Sequence, residues 1–379
     1  EGATNYHAFT LEMLVEGLML SANLHGCRTA REYTAWLTEY LQDKRMEKLK
    51  KMFEGVRDLL EPSGLMPIVG DNDSGRMLEL SEPGRSFHNW RYLLCLGALL
   101  FEDDGLLKRG TDAKDWYPAR AWFKDAAPRT AVIQEKSQFY PDVGYYFLKS
   151  KEVYALIICG PIGTWGQGGH THDDRLSFVL SLHGLPFFTD PGNFAYTASL
   201  SLRDKTRSAL EHNTLVLDKE PQNRKSSNSI WWGSQEETKC RCTLWDIQRE
   251  TLTFEGVHSA YQRLPQQITH RRRLAITPGQ KAGILEDFLE QSTAGPLPSA
   301  DWTFNLHPDC QVRLLSPDQA EIINGPVSMV LKTDQGAWQV EDSLYFPSYG
   351  IKRDTKRLRL HLDEGLTHSI FSLTWNATD

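Results

Sequence analysis

Long hydrophobic runs are missing from this chain of 379 residues, and its apolar stretches, such as 92–101 and 154–158, are too short to cross a bilayer. An excess of positive charge is also missing: the net charge is −7 and the pI about 6.0, so no overall field favours nucleic acid. Cysteine is scarce. The six cysteines include Cys240 and Cys242 but no second close pair, which argues against a zinc knuckle and does not settle the compartment. Strand alternation places these two thiols on one face, which favours buried thiols. In a chain that is acidic overall, an acidic polysaccharide would need a local basic cleft.

The beginning of the chain, EGATNYHAF, has neither an initial methionine nor a signal-peptide pattern. Either a leader has been removed or the chain is a piece of a longer protein, and we expect a piece because residues capable of chemistry appear within these first positions. Aromatic residues are plentiful, with 11 Trp, 13 Tyr and 16 Phe. Flat rings suit contact with sugars, although core packing accounts for most rings of this kind.

The first part of the chain has helical periodicity. Apolar residues at helical spacing predict helices over 6–24, 30–41, 44–60 and 86–101, with a polar loop, GDNDSGR, at 70–76. Paired helices of this kind stack in a bundle, a solenoid or a toroid.

After about residue 116 the pattern changes to short β-type runs separated by Gly, Pro and Asn. The predicted strands are 144–148, 153–158, 176–182, 186–189, 214–217, 252–254, 273–276, 282–285, 311–314 and 328–331. No helical crossover of sufficient length separates them, which disfavours a parallel sheet. We therefore predict an α+β multidomain chain: a helical domain at 1–110, followed by a large antiparallel β-sandwich domain at 111–379.

The segment 166–214 concentrates the residues that could carry chemistry. His170 and His172 are two positions apart, so on an extended strand their rings share a face and lie about 6–7 Å apart. One ring could then bind a metal while the other meets a substrate. The alternative is two polar residues in a glycine-rich loop.

A predicted hairpin follows, with LSFVLSL and LPFFTD joined at 183–184. Simple pairing around that turn places Asp190 opposite Ser177, some distance from His172. The two side chains can meet only if the loop before Leu176 curls back. The alternative role for Asp190 is a turn cap before Pro-Gly.

A third histidine, His212, begins the next strand. The basic stretch before it, with Arg203 and Arg207, suits a carboxylate or sulfate ligand. A solvated charged face that also includes Asp204 and Glu211 is the competing interpretation.

Four motifs in order, GGHxHxDxLSF, DPGxxxY, RxxxRS and HNTxxxD, resemble the signature of the heparinase II/III-like polysaccharide lyases, which include alginate and heparin lyases. Further pieces agree, and the resemblance spans nearly the whole chain: NYH at 5–7, GDNDSGR at 70–76, PDVGYYFLKS at 141–150, and HSAYQRL with THRRRLAI between 258 and 276. The resemblance implies an α/α toroid, of which only part fits here, plus an antiparallel β-sandwich.

The resemblance also implies roles for individual residues of the sandwich. His172, Asp190 and His212 match the positions that hold one structural zinc ion. His170 matches a histidine that faces the substrate carboxylate.

On the helical side, His7 with Asn5 matches the toroid's Asn/His motif, although in the family the two are adjacent and here Tyr6 separates them. Family lyases also use a toroid tyrosine as base or acid. The loop 70–76, where it is expected, contains none, and Tyr196 is the nearest substitute.

These roles imply a lyase that cleaves an acidic, uronate-containing polysaccharide by β-elimination, in a cleft between toroid and sandwich. The C5 proton is only weakly acidic, so the carboxylate must be neutralised by Asn5, His170 or an arginine such as Arg207. His7 or Tyr196 is the right type of residue for the base.

Substrate contacts are predicted for Arg76, Arg203 and Arg207, with an ion pair to Asp71 or Asp73 as the alternative for Arg76. The missing toroid tyrosine motivates a second hypothesis, a non-catalytic glycan-binding or assembly protein, and a zinc hydrolase is a third. We expect an acidic polysaccharide or oligosaccharide as partner, no nucleic acid, no membrane span, and a periplasmic or secreted location. A homodimer is left open.

Overall fold

The computed structural model describes residues 2–77, 86–108, 110–132, 136–163, 166–224 and 234–378. The chain divides into a helical unit, Thr4–Pro67 with Asn72–Gln134, and a sheet unit, Glu1–Ala3 and Ile68–Asp71 with Glu135–Asp379. The helical unit therefore continues past the predicted boundary at residue 110. The short segment Ile68–Asp71 belongs with the sheets, which a single boundary along the sequence could not express.

The described part of the helical unit contains four α-helices: α1 Thr4–Leu24, α2 Ala30–Leu59, α3 Arg91–Leu100 and α4 Tyr117–Trp122. A capping box between Thr29 and Glu32 starts α2. Gln42 interrupts α2 with non-helical angles (φ 63°, ψ 162°), in agreement with the predicted gap between 30–41 and 44–60.

The third helix is shorter than predicted, because it begins at Arg91 rather than at residue 86. Asn89 forms an isolated antiparallel bridge with Leu65, and the Met66 N–H donates to the His88 carbonyl. These contacts hold the residues before α3 in a non-helical path. Within α3, Gly97 lets Phe53 of α2 pack closely, since a Cβ there would lie 2.6 Å from Phe53 Cδ1.

Where the structure describes it, the sheet unit is a set of antiparallel strands with one further α-helix, α5 Leu200–Thr206. In chain order the described strands are β1 Gln138–Tyr140, β2 Tyr145–Lys149, β3 Val153–Ile158, β4 Phe178–Leu182, β5 Leu185–Phe188, β6 Leu215–Leu217, β7 Cys240–Ile247, β8 Leu252–His258, β9 Ile268–Thr277, β10 Ala282–Gln291, β11 Ala300–Asn305, β12 Gln311–Ser316, β13 Gln319–Asn324, β14 Val327–Thr333, β15 Trp338–Ser348, β16 Ile351–Leu362 and β17 His368–Ala377.

Three sheets arise from these strands, with orders β1-β2-β3-β4-β5, β12-β13-β14-β17-β10-β9-β8-β7 and β15-β16-β11-β6. The predicted antiparallel sandwich is confirmed. All ten predicted strands are present, most with shifted or longer bounds. The alternation of Cys240 and Cys242 implied β7 without giving its bounds, and β1, β11, β13, β15, β16 and β17 were not predicted. In β15 and β16 runs of charged residues hide the alternation, as in WQVEDS and IKRDTKRL.

One hydrophobic core joins the three sheets, with Phe178, Leu274 and Trp302 as members from each. The ten residues of β9 alternate strictly between buried and half-buried, as expected for a strand that covers a core on one face. His270 and Arg272 lie on the buried face of β9, so this core includes polar groups that must be paired.

Candidate metal centre and neighbouring residues

The loop before β4 curls back, which is the condition under which His172 and Asp190 can lie close together. The guanidinium of Arg175 holds the curl: Nη1 donates to the carbonyls of Gly160 (2.8 Å) and Pro161 (2.7 Å), and Nη2 donates to the carbonyl of His172 (3.2 Å). Leu176 adopts a left-handed conformation at φ 59° directly after it. The side chain of His172 is thereby brought toward the end of the β4–β5 hairpin.

Asn213 joins the three chain segments that converge there. Its Nδ2 donates to the carbonyls of Phe178 (2.7 Å) and Thr189 (3.1 Å), and its backbone N–H donates to Ser177 Oγ (3.0 Å). Asn213 directly follows His212, and Thr189 directly precedes the third residue of the cluster. A single buried residue, through its side-chain amide and its backbone N–H, therefore links all three segments.

The converging side chains are those of His172, Asp190 and His212, which we call the metal triad. One ligand atom from each lies within 4.8 Å of the others, and all three residues are buried. His172 Nδ1 and His212 Nε2 have no hydrogen-bond partner among the residues that the structure describes. The triad supplies two imidazoles and one carboxylate, which are ligand types that fit Zn²⁺, and two of its buried ring nitrogens have no partner among the described residues.

The other ring nitrogens of the triad have carboxylate partners. His172 Nε2 bonds Asp71 Oδ1 (3.0 Å), and His212 Nδ1 bonds Asp190 Oδ2 (2.8 Å). Burial lowers the pKa of His212, but Asp190 outweighs burial and raises the pKa to about 9. A carboxylate behind a ligating imidazole orients the ring and increases its basicity, so Asp71 is placed to support His172.

Asp71 also connects the triad to His170. Its Oδ2 accepts hydrogen bonds from His170 Nδ1 (3.2 Å) and Arg203 Nη2 (2.7 Å). Burial would raise the pKa of Asp71, but the hydrogen bonds from His170 and His172 and the charge of Arg203 hold that pKa well below its usual value. The sequence analysis gave Asp71 no role in this site. The signal was available in the GDNDSGR motif, but about 100 residues separate it from the histidines.

His170 and Tyr196 lie side by side. Their ring centroids are 6.0 Å apart, and the side chain of His170 is 20% exposed. The guanidinium carbon of Arg203 lies 5.0 Å from the centroid of the Tyr196 ring. The Tyr349 hydroxyl accepts the backbone N–H of Tyr196 (3.1 Å), so the turn between β15 and β16 supports this loop. Sequence analysis did not single out Tyr349, because its strand pair was not predicted.

The predicted substrate-binding arginines of the sheet unit have internal contacts. Arg203 is 3% exposed and bonds Asp71, as described above. Arg207 Nη2 donates to the carbonyls of Gly168 (3.1 Å) and Thr171 (3.4 Å), and burial lowers the pKa of Arg207. Both arginine side chains therefore hold the histidine-bearing loop, whereas Asp204 and Lys205 of the same stretch are exposed, as the solvated-face interpretation expected.

In the helical unit, Asn5 and His7 have different surroundings. Asn5 is buried, donates from Nδ2 to Asn72 Oδ1 (2.6 Å) and accepts from Trp90 Nε1 (3.1 Å). The half-buried ring of His7 bonds the carbonyl of Met52 through Nε2 (3.1 Å), and burial lowers the pKa of His7. A neutral imidazole results, with one nitrogen engaged by α2.

Arg76 contacts aromatic residues within the helical unit. Its Nη1 donates to the Tyr92 hydroxyl (2.7 Å), and its guanidinium carbon lies 3.7 Å from the centroid of the Trp90 ring. Tyr92 is buried and donates to Glu12, and burial raises its pKa well above the usual value. Tyr92 thus places a tyrosine beside the 70–76 loop in space, although the loop itself contains none.

The fold and the triad together define a class: an α+β protein whose antiparallel sandwich carries a buried two-histidine, one-aspartate cluster. Residues 133–374 match the family model described as heparinase II/III-like, C-terminal. The chain therefore belongs to the heparinase II/III-like family.

Solved structures share this fold. A heparan sulfate lyase, HepC from Pedobacter heparinus, matches with a TM-score of 0.69 at 14% identity, over 100% of this chain and 52% of that one. A structure named heparinase III matches with a TM-score of 0.67 at 15% identity, over 92% of this chain and 52% of that one. The chain spans about half the length of these proteins. No curated protein sequence matches it. Among the described helices, none has the length and apolar character that crossing a bilayer requires.

Proposed function

We propose that this chain belongs to a polysaccharide lyase that cleaves a uronate-containing glycan by β-elimination, with one zinc ion held by His172, Asp190 and His212. The main support for this proposal is the link between the metal triad and His170: Asp71 forms a hydrogen bond with His172 through one oxygen and with His170 through the other. Family membership and the names of the matched structures, a heparan sulfate lyase and heparinase III, support the reaction class.

The chemistry requires neutralisation of the uronate carboxylate while the C5 proton leaves. His170 suits this task, because Asp71 fixes the ring through Nδ1 and its side chain is partly exposed. In this proposal the ring acts as the imidazolium: Nδ1 donates to Asp71, and Nε2 donates a hydrogen bond to the substrate carboxylate and stabilises the enolate-like state.

A base must take the C5 proton, and an acid must protonate the C4 oxygen that is expelled. We assign both steps to Tyr196, which lies next to His170 and close to the charge of Arg203. As the phenolate, Tyr196 takes the C5 proton, and the phenol so formed protonates the expelled C4 oxygen, provided that both are on the same side of the sugar.

The zinc ion supplies a structural brace for the histidine-bearing loop. All three ligand residues are at most 2% exposed, which favours a structural ion over the zinc hydrolase alternative. Asp71 transmits the position of His172 to His170.

A large external glycan as substrate also leads us to propose a periplasmic or secreted location, which cell fractionation would check.

The test is to incubate the zinc-loaded protein with a panel of uronate-containing glycans, both sulfated and unsulfated, and to follow ultraviolet absorbance of the unsaturated product. We expect turnover with at least one glycan. Because Tyr196→Phe removes the general acid–base group, we expect the rate of product formation to decrease about 10²–10⁴-fold. Tyr40→Phe, at an exposed tyrosine of the helical unit, is the matched control and should leave the rate unchanged. No product across the panel from folded, metal-bound protein would contradict the lyase proposal.

A glycan-binding protein without lyase activity is the second candidate function. It is favoured by one observation: the Nε2 atom of His7, a predicted base, bonds a backbone carbonyl of α2. Saturable binding of a uronate glycan by calorimetry, with no unsaturated product and no effect of Tyr196→Phe on affinity, would select this candidate over the lyase.

A further inference from the structure

Two thiols from different sheets lie in contact inside the sheet unit. Cys159 directly follows β3 of the five-stranded sheet, and Cys240 begins β7 at the edge of the eight-stranded sheet. Their Sγ atoms are 3.5 Å apart, although 81 residues separate them along the chain. Contact between thiols so distant in sequence is a specific product of the way these sheets pack.

The local structure directs these sulfurs toward each other. In the β7–β8 register, Cys242 is paired with Gly256, and a Cβ at Gly256 would lie 2.9 Å from Cys159 Sγ. The glycine thus leaves the space that the Cys159 thiol occupies. The neighbouring Cys242 thiol is engaged elsewhere, because its Sγ donates to the Leu244 carbonyl (3.3 Å).

We propose that Cys159 and Cys240 are a disulfide-forming pair that joins the five-stranded and eight-stranded sheets. The sulfurs must approach from 3.5 Å to about 2.05 Å. Cys240 is half-buried and Cys159 is 2% exposed, so an oxidant reaches Cys240 first.

A small disulfide such as oxidised glutathione is a sufficient oxidant. The Cys240 thiolate attacks one sulfur of the oxidant, forms a mixed disulfide and releases one glutathione, which takes up a proton. The Cys159 thiolate then attacks the Cys240 sulfur, closes the protein disulfide and releases the second glutathione. The two protein thiols lose two electrons and two protons, and the oxidant gains both.

The crosslink would restrict the motion of the chain segments that hold the metal triad in place. The Gly160 carbonyl, next to Cys159, accepts from the Arg175 guanidinium that holds the curled loop. On the other side, Ile158 exchanges backbone hydrogen bonds with Leu176 and Ser177, which precede β4. A bond between Cys159 and Cys240 also closes a long loop of the chain, which stabilises the folded state relative to the unfolded state.

The experiment equilibrates the purified full chain in glutathione buffers of increasing oxidised fraction, followed by alkylation, non-reducing peptide mapping and thermal unfolding. We expect a peptide linked through Cys159 and Cys240, the loss of two of the six thiols, and a melting temperature several degrees above that of the reduced protein. Cys242→Ser is the matched control and should keep both results, whereas Cys240→Ser should lose both.

Mapping of the unsubstituted protein decides the question even if a variant fails to fold. Six free thiols at every buffer ratio, or a linkage through Cys242 instead of Cys240, would overturn the proposal. A linked peptide without any gain in melting temperature would overturn its stabilising role.

Discussion

Two buried histidine–aspartate clusters lie in the same sheet unit, and they differ in how their nitrogens are paired. The metal triad is His172, Asp190 and His212, and the second cluster, which we call the closed network, is His258, His270, Arg272 and Asp287. Both contain two histidines and an aspartate at or below 2% exposure. Composition and burial therefore do not distinguish a candidate metal site from a structural one.

In the closed network every ring nitrogen has a partner. The Ala260 N–H donates to His258 Nδ1 (3.3 Å), so the proton of His258 is on Nε2 and is donated to His270 Nδ1 (2.9 Å). His270 Nε2 then donates to Asp287 Oδ1 (2.6 Å). Each histidine is thus neutral with one defined tautomer, in agreement with the lowering of both pKa values by burial.

Asp287 in turn pairs with Arg272, whose Nε and Nη2 donate to its two oxygens at 2.8 and 2.7 Å. The remaining Arg272 nitrogen, Nη1, donates to the carbonyls of Leu176 (2.9 Å) and Asn213 (2.7 Å), beside the segments that carry the triad. The ring nitrogens of the closed network all have partners within the protein, and its Arg272 holds the backbone beside the triad. The triad has unpaired nitrogens, and that difference is the physical reason to assign a metal to it.

The largest expected effect comes from opening the closed network. Asp287→Ala leaves Arg272 charged and buried without its partner, so we expect a loss of about 3–5 kcal/mol in the free energy of unfolding. Denaturant titration in chelator and in zinc checks this, and the loss should be similar in both. Asp318→Ala, at a half-exposed pair with Lys332, is the control and should cost less than about 1 kcal/mol. An equally small cost for Asp287→Ala would show that the network is not structural.

The second effect concerns the triad and depends on metal. Zinc at 100 times its dissociation constant should stabilise the unsubstituted protein by about 2.7 kcal/mol. His172→Ala or His212→Ala should abolish this zinc-dependent increment, because each removes one of the three ligands. His258→Gln should keep the increment even if its basal stability is lower. An increment that survives in both triad variants would place the metal elsewhere.

The third effect concerns Asn213, which directly follows His212 of the triad and whose carbonyl accepts a hydrogen bond from Arg272 of the closed network. Asn213→Ala removes the side-chain amide that donates to the carbonyls of Phe178 and Thr189, but it keeps the backbone N–H that donates to Ser177, so the ligands should lose part of their fixed spacing. We expect the zinc dissociation constant to rise about 10–100-fold, measured by competition with a chromogenic chelator. Thr206→Ser is a conservative control within the same unit and should leave the constant unchanged. An unchanged constant for folded Asn213→Ala would show that the amide does not position the triad.

The smallest effect is a pH dependence of the closed network. The pKa values of His258 and His270 are lowered in the folded state, so the unfolded chain takes up more protons as the pH falls through the ordinary value near 6.5. The contribution of the closed network to stability should therefore be fully present above about pH 6.5 and decrease below it, by at most about 1.4 kcal/mol per pH unit for each histidine. Unfolding in chelator, with and without His258→Gln, measures this slope. A slope that the substitution leaves unchanged would contradict the assignment.

The sequence predicted the antiparallel sandwich and, through family motifs, the three residues of the triad. It did not predict how they meet, because the curl before Leu176 depends on contacts of Arg175 with Gly160 and Pro161. Asp71 was missed for the same reason, since its partners lie about 100 residues away. The roles predicted for Asn5, His7 and Tyr196 stay predictions.

Zinc content per chain tests the central claim most directly. Elemental analysis of protein purified with zinc and then dialysed should give about one zinc ion per chain for the unsubstituted protein and for His258→Gln. The same analysis should give almost none for His172→Ala and His212→Ala. Absence of zinc from the unsubstituted protein, or equal zinc in the triad variants, would contradict the account.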